Sequence, residues 1–194
     1  MNGDAKMSCI VHESSIVGKT AQIGEGTRIW QFCIIMDEVT IGQKCNIGAY
    51  VFAEKGVQIG AQVKIKNNVS LYSGVKLEDD VFIGPNVVFT NVINPRSFIE
   101  RKREFRPTIV RKGASVGANA TIICGHEIGE YALIGAGSVV TKDVEPYALI
   151  MGNPGKPAGY VCRCGERLPE ELVCKSCNKK YERLKIGGLR PISS

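Results

Sequence analysis

The chain has 194 residues, 44% apolar and 23% charged, which suits one main domain with at most a small appendage and excludes a disordered polymer. It contains no apolar run of about 18 residues and no secretory-type leader, so a cytoplasmic protein without a membrane partner is expected. Half of the net charge of +6 falls in residues 92–108, where Arg96, Arg101, Lys102, Arg103 and Arg106 stand against Glu100 and Glu104. Such a local excess favours a small anionic ligand over nucleic acid, whose binders more often show a long basic stripe with exposed aromatics.

Residues 1–9 read as a leader, and a weak spacing begins at Ile10 and Ile16. From Ile23 the spacing locks. Ile23, Ile29, Ile35, Ile41, Ile47, Ala53, Ile59, Ile65, Leu71, Leu77, Ile83 and Phe89 follow one another at steps of six and are all apolar. Four residues after each comes a second small or apolar side chain, from Thr27 and Cys33 through Val39 to Val87. Two inward residues per six describe one side of a solenoid. Glycine follows the inward residue at 24, 42, 48, 60, 84, 117, 129 and 135, where it is expected to permit a tight corner. Long alternating strands and helical spacing are both missing, which argues against a sandwich and a helical bundle, and a parallel β-helix over residues 10–159 is expected.

The step breaks after Phe89 and resumes at Val110, Val116, Ile122, Ile128, Ile134 and Val140. The polar excursion at 92–108 contains Pro95 and Pro107 and reads as a protruding loop, the usual place for ligands on a rigid scaffold. The turn formers Met151-Gly152-Asn153-Pro154-Gly155-Lys156-Pro157 end the repeats. Beyond them, Cys162-Arg163-Cys164 and Cys174-Lys175-Ser176-Cys177 give paired thiols with the spacing of a zinc ribbon, the first pair one residue tighter than usual. Clustered thiols in a reducing compartment favour a metal over disulfides, and four of them would make a zinc structural. A four-cysteine zinc-ribbon-like motif over 160–185 and a tail over 186–194 are expected. The remaining cysteines, Cys9, Cys33, Cys45 and Cys124, are scattered, and a thiol inside the repeats packs as a small hydrophobe.

Repeats of this kind resemble the hexapeptide acyltransferases, which implies a left-handed β-helix, a homotrimer, and acetyl-CoA bound along the groove between neighbouring prisms. The left hand comes from the resemblance, since general crossover preference points the other way. A closer likeness runs through Lys64-Ile65-Lys66-Asn67-Asn68-Val69-Ser70-Leu71-Tyr72, Phe89-Thr90-Asn91-Val92-Ile93-Asn94-Pro95-Arg96-Ser97 and Ile134-Gly135-Ala136-Gly137-Ser138-Val139. These stretches are similar to bacterial N-acetyltransferases of 3-amino nucleotide sugars, most of all the type that acts on UDP-2-acetamido-3-amino-2,3-dideoxy-glucuronate for surface polysaccharides. Relatives use dTDP-3-amino-hexoses instead.

Acetyl transfer to an amine needs the nucleophile aligned on the thioester, donors for the oxyanion and an acceptor for the proton. Many related O-acetyltransferases carry a catalytic His where this chain has Asn119, and an amide takes no proton at neutral pH. His12 and His126 are the only histidines, and packing or a local hydrogen bond accounts for His126. The resemblance implies that the departing CoA thiolate takes the proton and that Asn91 orients the sugar amine. Asn91 read by itself is also an Asn tolerated in a left-handed corner. Arg96 and Arg101 offer planar forks for a diphosphate or a uronate, with Asn67, Asn68, Tyr72, Asn94 and Glu100 for sugar or base contacts. Asn119, Gly135, Ala136, Gly137, Lys142 and Lys156 are placed along acetyl-CoA. Surface loops carry such charges without function too.

Three other readings compete. A solenoid scaffold carrying a zinc-ribbon binding module is weakened by the modest charge of residues 160–185, seven basic against four acidic. A metalloenzyme built on three histidines cannot be assembled from one chain's two. An O-acetyltransferase is disfavoured by Asn119.

Overall fold

The computed structural model describes residues 8–185 and 187–192. From Ile10 to Val140 the hexapeptides form strands of two or three residues. Outside the coil that carries the loop and the last coil, each pairs in parallel with the strand 18 residues on, as Ile10 with Arg28, Ile16 with Ile34 and Gln22 with Thr40. Three sheets of nine, seven and six strands result. We name them face one, starting at Ile10–Val11, face two, starting at Ile16–Val17, and face three, starting at Gln22–Ile23. The protein is thus an all-β parallel solenoid of the type expected for the left-handed β-helix. Its helical segment among the described residues is one 3-10 turn, Lys102–Glu104, and no helix is long and apolar enough to cross a membrane.

Both inward columns are buried, from Ile29 and Cys33 to Ile134 and Val140, and make one continuous core. Polar members of the second column are satisfied across coils at Thr27, Cys33 and Cys45, whereas the buried Thr108 hydroxyl at the loop foot has no partner among the described residues. The Thr27 hydroxyl donates to the Gly42 carbonyl at 2.7 Å, and the Cys33 and Cys45 thiols donate to Gly48 and Gly60 at 3.0 Å.

Two expectations change here. In the first coil Val11 and Val17 occupy the inward column, opposite Ile29 and Ile35, while Ile10 and Ile16 point outward opposite Arg28 and Ile34. Pairing with the next coil fixes that register; an isolated Ile-Val pair cannot. The glycines after the inward residues are also explained differently. Gly24, Gly42 and Gly60 do not have positive φ; the left-handed corner residues are others, such as Glu38, Asn68 and Asn86. A Cβ on Gly42 would meet the Gly60 carbonyl carbon at 2.5 Å, so close stacking of coils demands the glycine.

The loop enlarges one coil. Val75 pairs with Thr108 and Phe82 with Ser115, 33 residues on, so the excursion adds 15 residues to the normal 18. Arg111 clasps the coils on either side of it, reaching Glu78 at 2.9 Å and Glu127 at 2.6 Å.

The solenoid ends where Lys156–Tyr160 turns back antiparallel on Ala148–Met151. In the appendage Tyr181–Arg183 pairs antiparallel with Leu189–Pro191, so the strand at 189–191 packs within this unit. Tyr147, Cys162, Leu168, Cys174, Tyr181 and Leu189 form its buried cluster. Tyr147 stacks on Tyr131 and meets the Tyr181 ring at a 60° tilt, with centroids 5.2 Å away on each side, and ties the appendage to the solenoid. Most of the expected leader lies outside the described residues.

Candidate functional site

The foot of the loop is stitched to the solenoid by backbone bonds. Arg106 N–H donates to the Asn91 carbonyl at 3.0 Å, Thr108 N–H to Gly74 at 3.1 Å, and Gly125 N–H to Pro107 at 3.0 Å. Thr90 strengthens the foot, since its hydroxyl accepts the Cys124 N–H at 2.9 Å. Between foot and tip lies a cleft of about 380 Å³ lined by Asn91, Val92, Pro95, Arg96, Ser97, Ile99, Glu100, Arg101, Lys102 and Phe105.

Asn91 stands at the root of this cleft, half-buried. It is not among the residues with positive φ, so corner chemistry does not account for it. Its carbonyl holds the loop foot, while its side-chain amide makes no hydrogen bond among the described residues and remains available to a ligand.

The charged residues of the loop are less free than their sequence suggested. Arg101 Nη1 donates to both carboxylate oxygens of Glu104 at 2.8 Å, and its buried Nε has no partner. Glu100 pairs with Lys102 at 3.5 Å. Arg96 keeps its guanidinium off any carboxylate and donates to the Pro95 carbonyl at 2.9 Å. Asn94 is exposed. Glu104 stands three residues after Arg101, the spacing at which such a pair forms on a helical turn. Val92, Ile99 and Phe105 give the cleft an apolar lining that no motif in the sequence marks.

Other anticipated residues sit elsewhere. Asn67, Asn68, Asn119, Gly135, Ala136 and Gly137 lie on the corner between faces one and two. Asn91, the loop, Tyr72, His126 and Lys142 lie on the corner between faces two and three. One chain does not bring these sets together. Asn67 Oδ1 accepts the Ala49 N–H at 3.2 Å, and Asn68 and Asn119 have φ of 60° and 56°, so corner geometry alone explains all three. Tyr72 meets Phe52 edge-on at 6.2 Å. Lys142 and Lys156 are exposed.

His126 is held, as a packed histidine should be, by a local bond. Its Nδ1 lies 3.2 Å from Asp143 Oδ1 with 26% of its side chain exposed. The Glu127 N–H holds the Asp143 carboxyl below its ordinary range, with desolvation opposing and His126 adding to the lowering. His12 Nδ1 lies 2.9 Å from the Ser14 hydroxyl.

In the appendage the sulfurs of Cys162, Cys164, Cys174 and Cys177 lie within 4.8 Å of one another. Cys162 and Cys177 are 3.4 Å apart, and Cys164 and Cys174 3.6 Å. A tetrahedral zinc with bonds of about 2.3 Å sets its sulfurs roughly 3.8 Å apart, so the cluster fits. Desolvation pushes the Cys174 thiol up, but the N–H groups of Cys177 and Ser176 override it and hold it at about 7.

Comparison with known proteins places this geometry. The bacterial transferase hexapeptide model matches residues 20–53 and 56–91, and the hexapeptide repeat of succinyl-transferase matches 38–73 and 107–142. The dTDP-3-amino-3,6-dideoxy-alpha-D-galactopyranose 3-N-acetyltransferase of Aneurinibacillus thermoaerophilus is 48% identical over 178 residues, 90% of this chain and 91% of that protein. Among solved structures, UDP-N-acetylglucosamine acyltransferase from Campylobacter jejuni shares the fold at a TM-score of 0.56 and 18% identity, over 79% of this chain and 73% of its own. A galactoside acetyltransferase in complex with coenzyme A is 27% identical at a TM-score of 0.50, over 57% of this chain and 58% of its own. The chain belongs to the hexapeptide-repeat family of bacterial transferases.

Proposed function

We propose that this hexapeptide-repeat acyltransferase moves the acetyl group of acetyl-CoA to the 3-amino group of a nucleotide-linked sugar. The observation that carries the reading is Asn91, an amide without a partner among the described residues at the root of a basic, partly apolar cleft. The amine nitrogen attacks the thioester carbonyl carbon, the carbon–sulfur bond breaks, and the thiolate leaves with the proton shed by nitrogen. A thiol-like pKa near 8.5 makes that thiolate a competent acceptor. No histidine is required in the cleft, and His126 is already engaged by Asp143. His126→Ala is therefore expected to keep a substantial rate in a thiol-release assay; a loss beyond a hundredfold would make it the base.

The site is completed in a homotrimer. The outward column of face two, Ile16, Ile34, Phe52, Ser70, Val88, Thr121 and Val139, contains no charge, and Ile16, Ile34 and Val88 are 65%, 43% and 49% exposed. Faces one and three carry Arg28, Lys64, Lys76 and Glu127 in the equivalent positions. Three copies that turn face two toward a common axis bury it and close a cyclic assembly. The corner between faces one and two of one copy then lies beside the loop corner of the next. Both sets of anticipated residues line that groove, and Phe98, 82% exposed on the loop, gains a neighbour to pack on. Val88→Glu brings three like charges together at the axis and is expected to give monomers in sedimentation velocity; an unchanged three-chain mass would remove face two from the interface.

The 48% identical relative favours dTDP-3-amino-3,6-dideoxyhexose as acceptor. The guanidinium of Arg96, free of carboxylates, favours an acceptor with a carboxylate at C6, the UDP-linked uronate. Thiol release from acetyl-CoA against a panel of UDP- and dTDP-linked 3-amino sugars separates the two. No release with any of them would overturn the acetyltransferase reading. In the appendage the four cysteines would hold a structural zinc, and the tyrosine stack would fix that unit to the end of the solenoid.

A further inference from the structure

In the corner between faces one and two, one residue per coil takes a left-handed φ. The column runs Phe32 (58°), Tyr50 (60°), Asn68 (60°), Asn86 (57°), Asn119 (56°) and Gly137 (69°). Asn and Gly suit that backbone; a bulky side chain is an outlier there and calls for a reason. Long side chains such as Glu38, Lys44 and Gln62 take the same backbone in the other corners, but of the aromatic ones Tyr131 and Tyr147 stack on each other where the appendage packs, Tyr147 being buried. Phe32 and Tyr50 have no such cover. They stack on each other, centroids 5.1 Å apart and planes 22° apart, and remain 53% and 57% exposed. That spacing leaves no room for a ring between them, so the free surface is the outer face of the stack.

We propose that the Phe32–Tyr50 stack is the nucleobase subsite of the acceptor, which rests on the acetyltransferase reading above. Coils rise about 4.8 Å each, so Phe32 lies roughly 14 Å, three coils, from the level of Asn86, whose coil also carries Asn91. A hexose with its amine at Asn91, followed by a diphosphate and a pentose, runs along the groove toward these rings. Its base meets an aromatic platform, on which stacking is strong and sequence-tolerant. The glycines at 135 and 137 lie in the opposite direction along the same corner. Acceptor and acetyl-CoA thus enter from opposite ends and meet at the loop.

The test replaces both rings by the residue that the same column uses elsewhere. Phe32→Asn/Tyr50→Asn removes the platform and relieves the backbone, so the melting temperature should not fall. Calorimetry with UDP and dTDP should show binding to the wild type and a loss of about tenfold to a hundredfold in the variant. The KM for the nucleotide sugar should rise by the same factor. The KM for acetyl-CoA, and turnover of the amino sugar 1-phosphate that lacks a base, should not move. A wild type that binds neither nucleotide, a variant that binds them equally, or a variant that becomes monomeric would overturn the subsite, the last making the rings a subunit contact. Binding lost in the variant, in a protein that releases no thiol with any nucleotide amino sugar, would uphold the subsite and overturn the acetyl transfer.

Discussion

Replacing Asn91 with alanine lowers kcat at least tenfold and leaves the oligomer and its melting temperature unchanged. Tenfold corresponds to about 1.4 kcal/mol of transition-state stabilisation, which is what one well-placed hydrogen bond to a reacting amine supplies. The expectation is specific because the two jobs of Asn91 separate cleanly. Its carbonyl accepts the Arg106 N–H and holds the loop foot, and alanine keeps that carbonyl. Its side chain has no protein partner among the described residues, so truncation leaves no buried group unsatisfied. Asn91→Asp keeps an acceptor on the same stem and should retain more rate than alanine. Steady-state kinetics by thiol release, with sedimentation of the same preparations, decides the matter. A kcat equal to wild type in Asn91→Ala removes Asn91 from the chemistry and leaves it a loop residue.

The solenoid was legible because a six-residue step writes the core into the chain: every inward side chain from Ile29 to Phe89 must be apolar to fill a narrow prism. The break after Phe89 revealed the loop for the same reason. Features set by the neighbouring coil were not legible. Ile10 and Ile16 look like core residues until pairing with Arg28 and Ile34 turns them outward. The column of Phe32, Tyr50, Asn68 and Asn86 exists only at steps of 18, and so does the uncharged outer surface of face two. The fork of Arg101 suits an anion, yet the 3-10 turn brings Glu104 onto it first. The strand at Leu189–Pro191 follows two glycines and is too short to announce itself; its partner at Tyr181–Arg183 makes it visible.

The second large effect lies in the appendage. Zinc analysis of protein purified under reducing conditions is expected to give one ion per chain, and Cys174→Ser or a strong chelator to remove it. The unit from Tyr160 to Ile192 is then expected to unfold while the solenoid persists. Its buried cluster contains six residues, and two of them, Cys162 and Cys174, are themselves thiols of the proposed site. A core that small supplies little burial, whereas a structural zinc contributes about 10 kcal/mol or more. The solenoid has its own ladder of coils and continuous core, and it meets the appendage through Tyr131, Tyr147 and Tyr181 and through hydrogen bonds from Gly188 and Leu189 N–H to the Glu145 carboxylate and the Pro146 carbonyl. Limited proteolysis should therefore cut Cys174→Ser between 160 and 192 and stop near the strand Ala148–Met151. Zinc near zero in reduced wild type, or a Cys174→Ser variant as protease-resistant as its parent, would mean that the four thiols hold no metal and that the tyrosines, with the bonds from Glu145 and Pro146, hold the appendage in place.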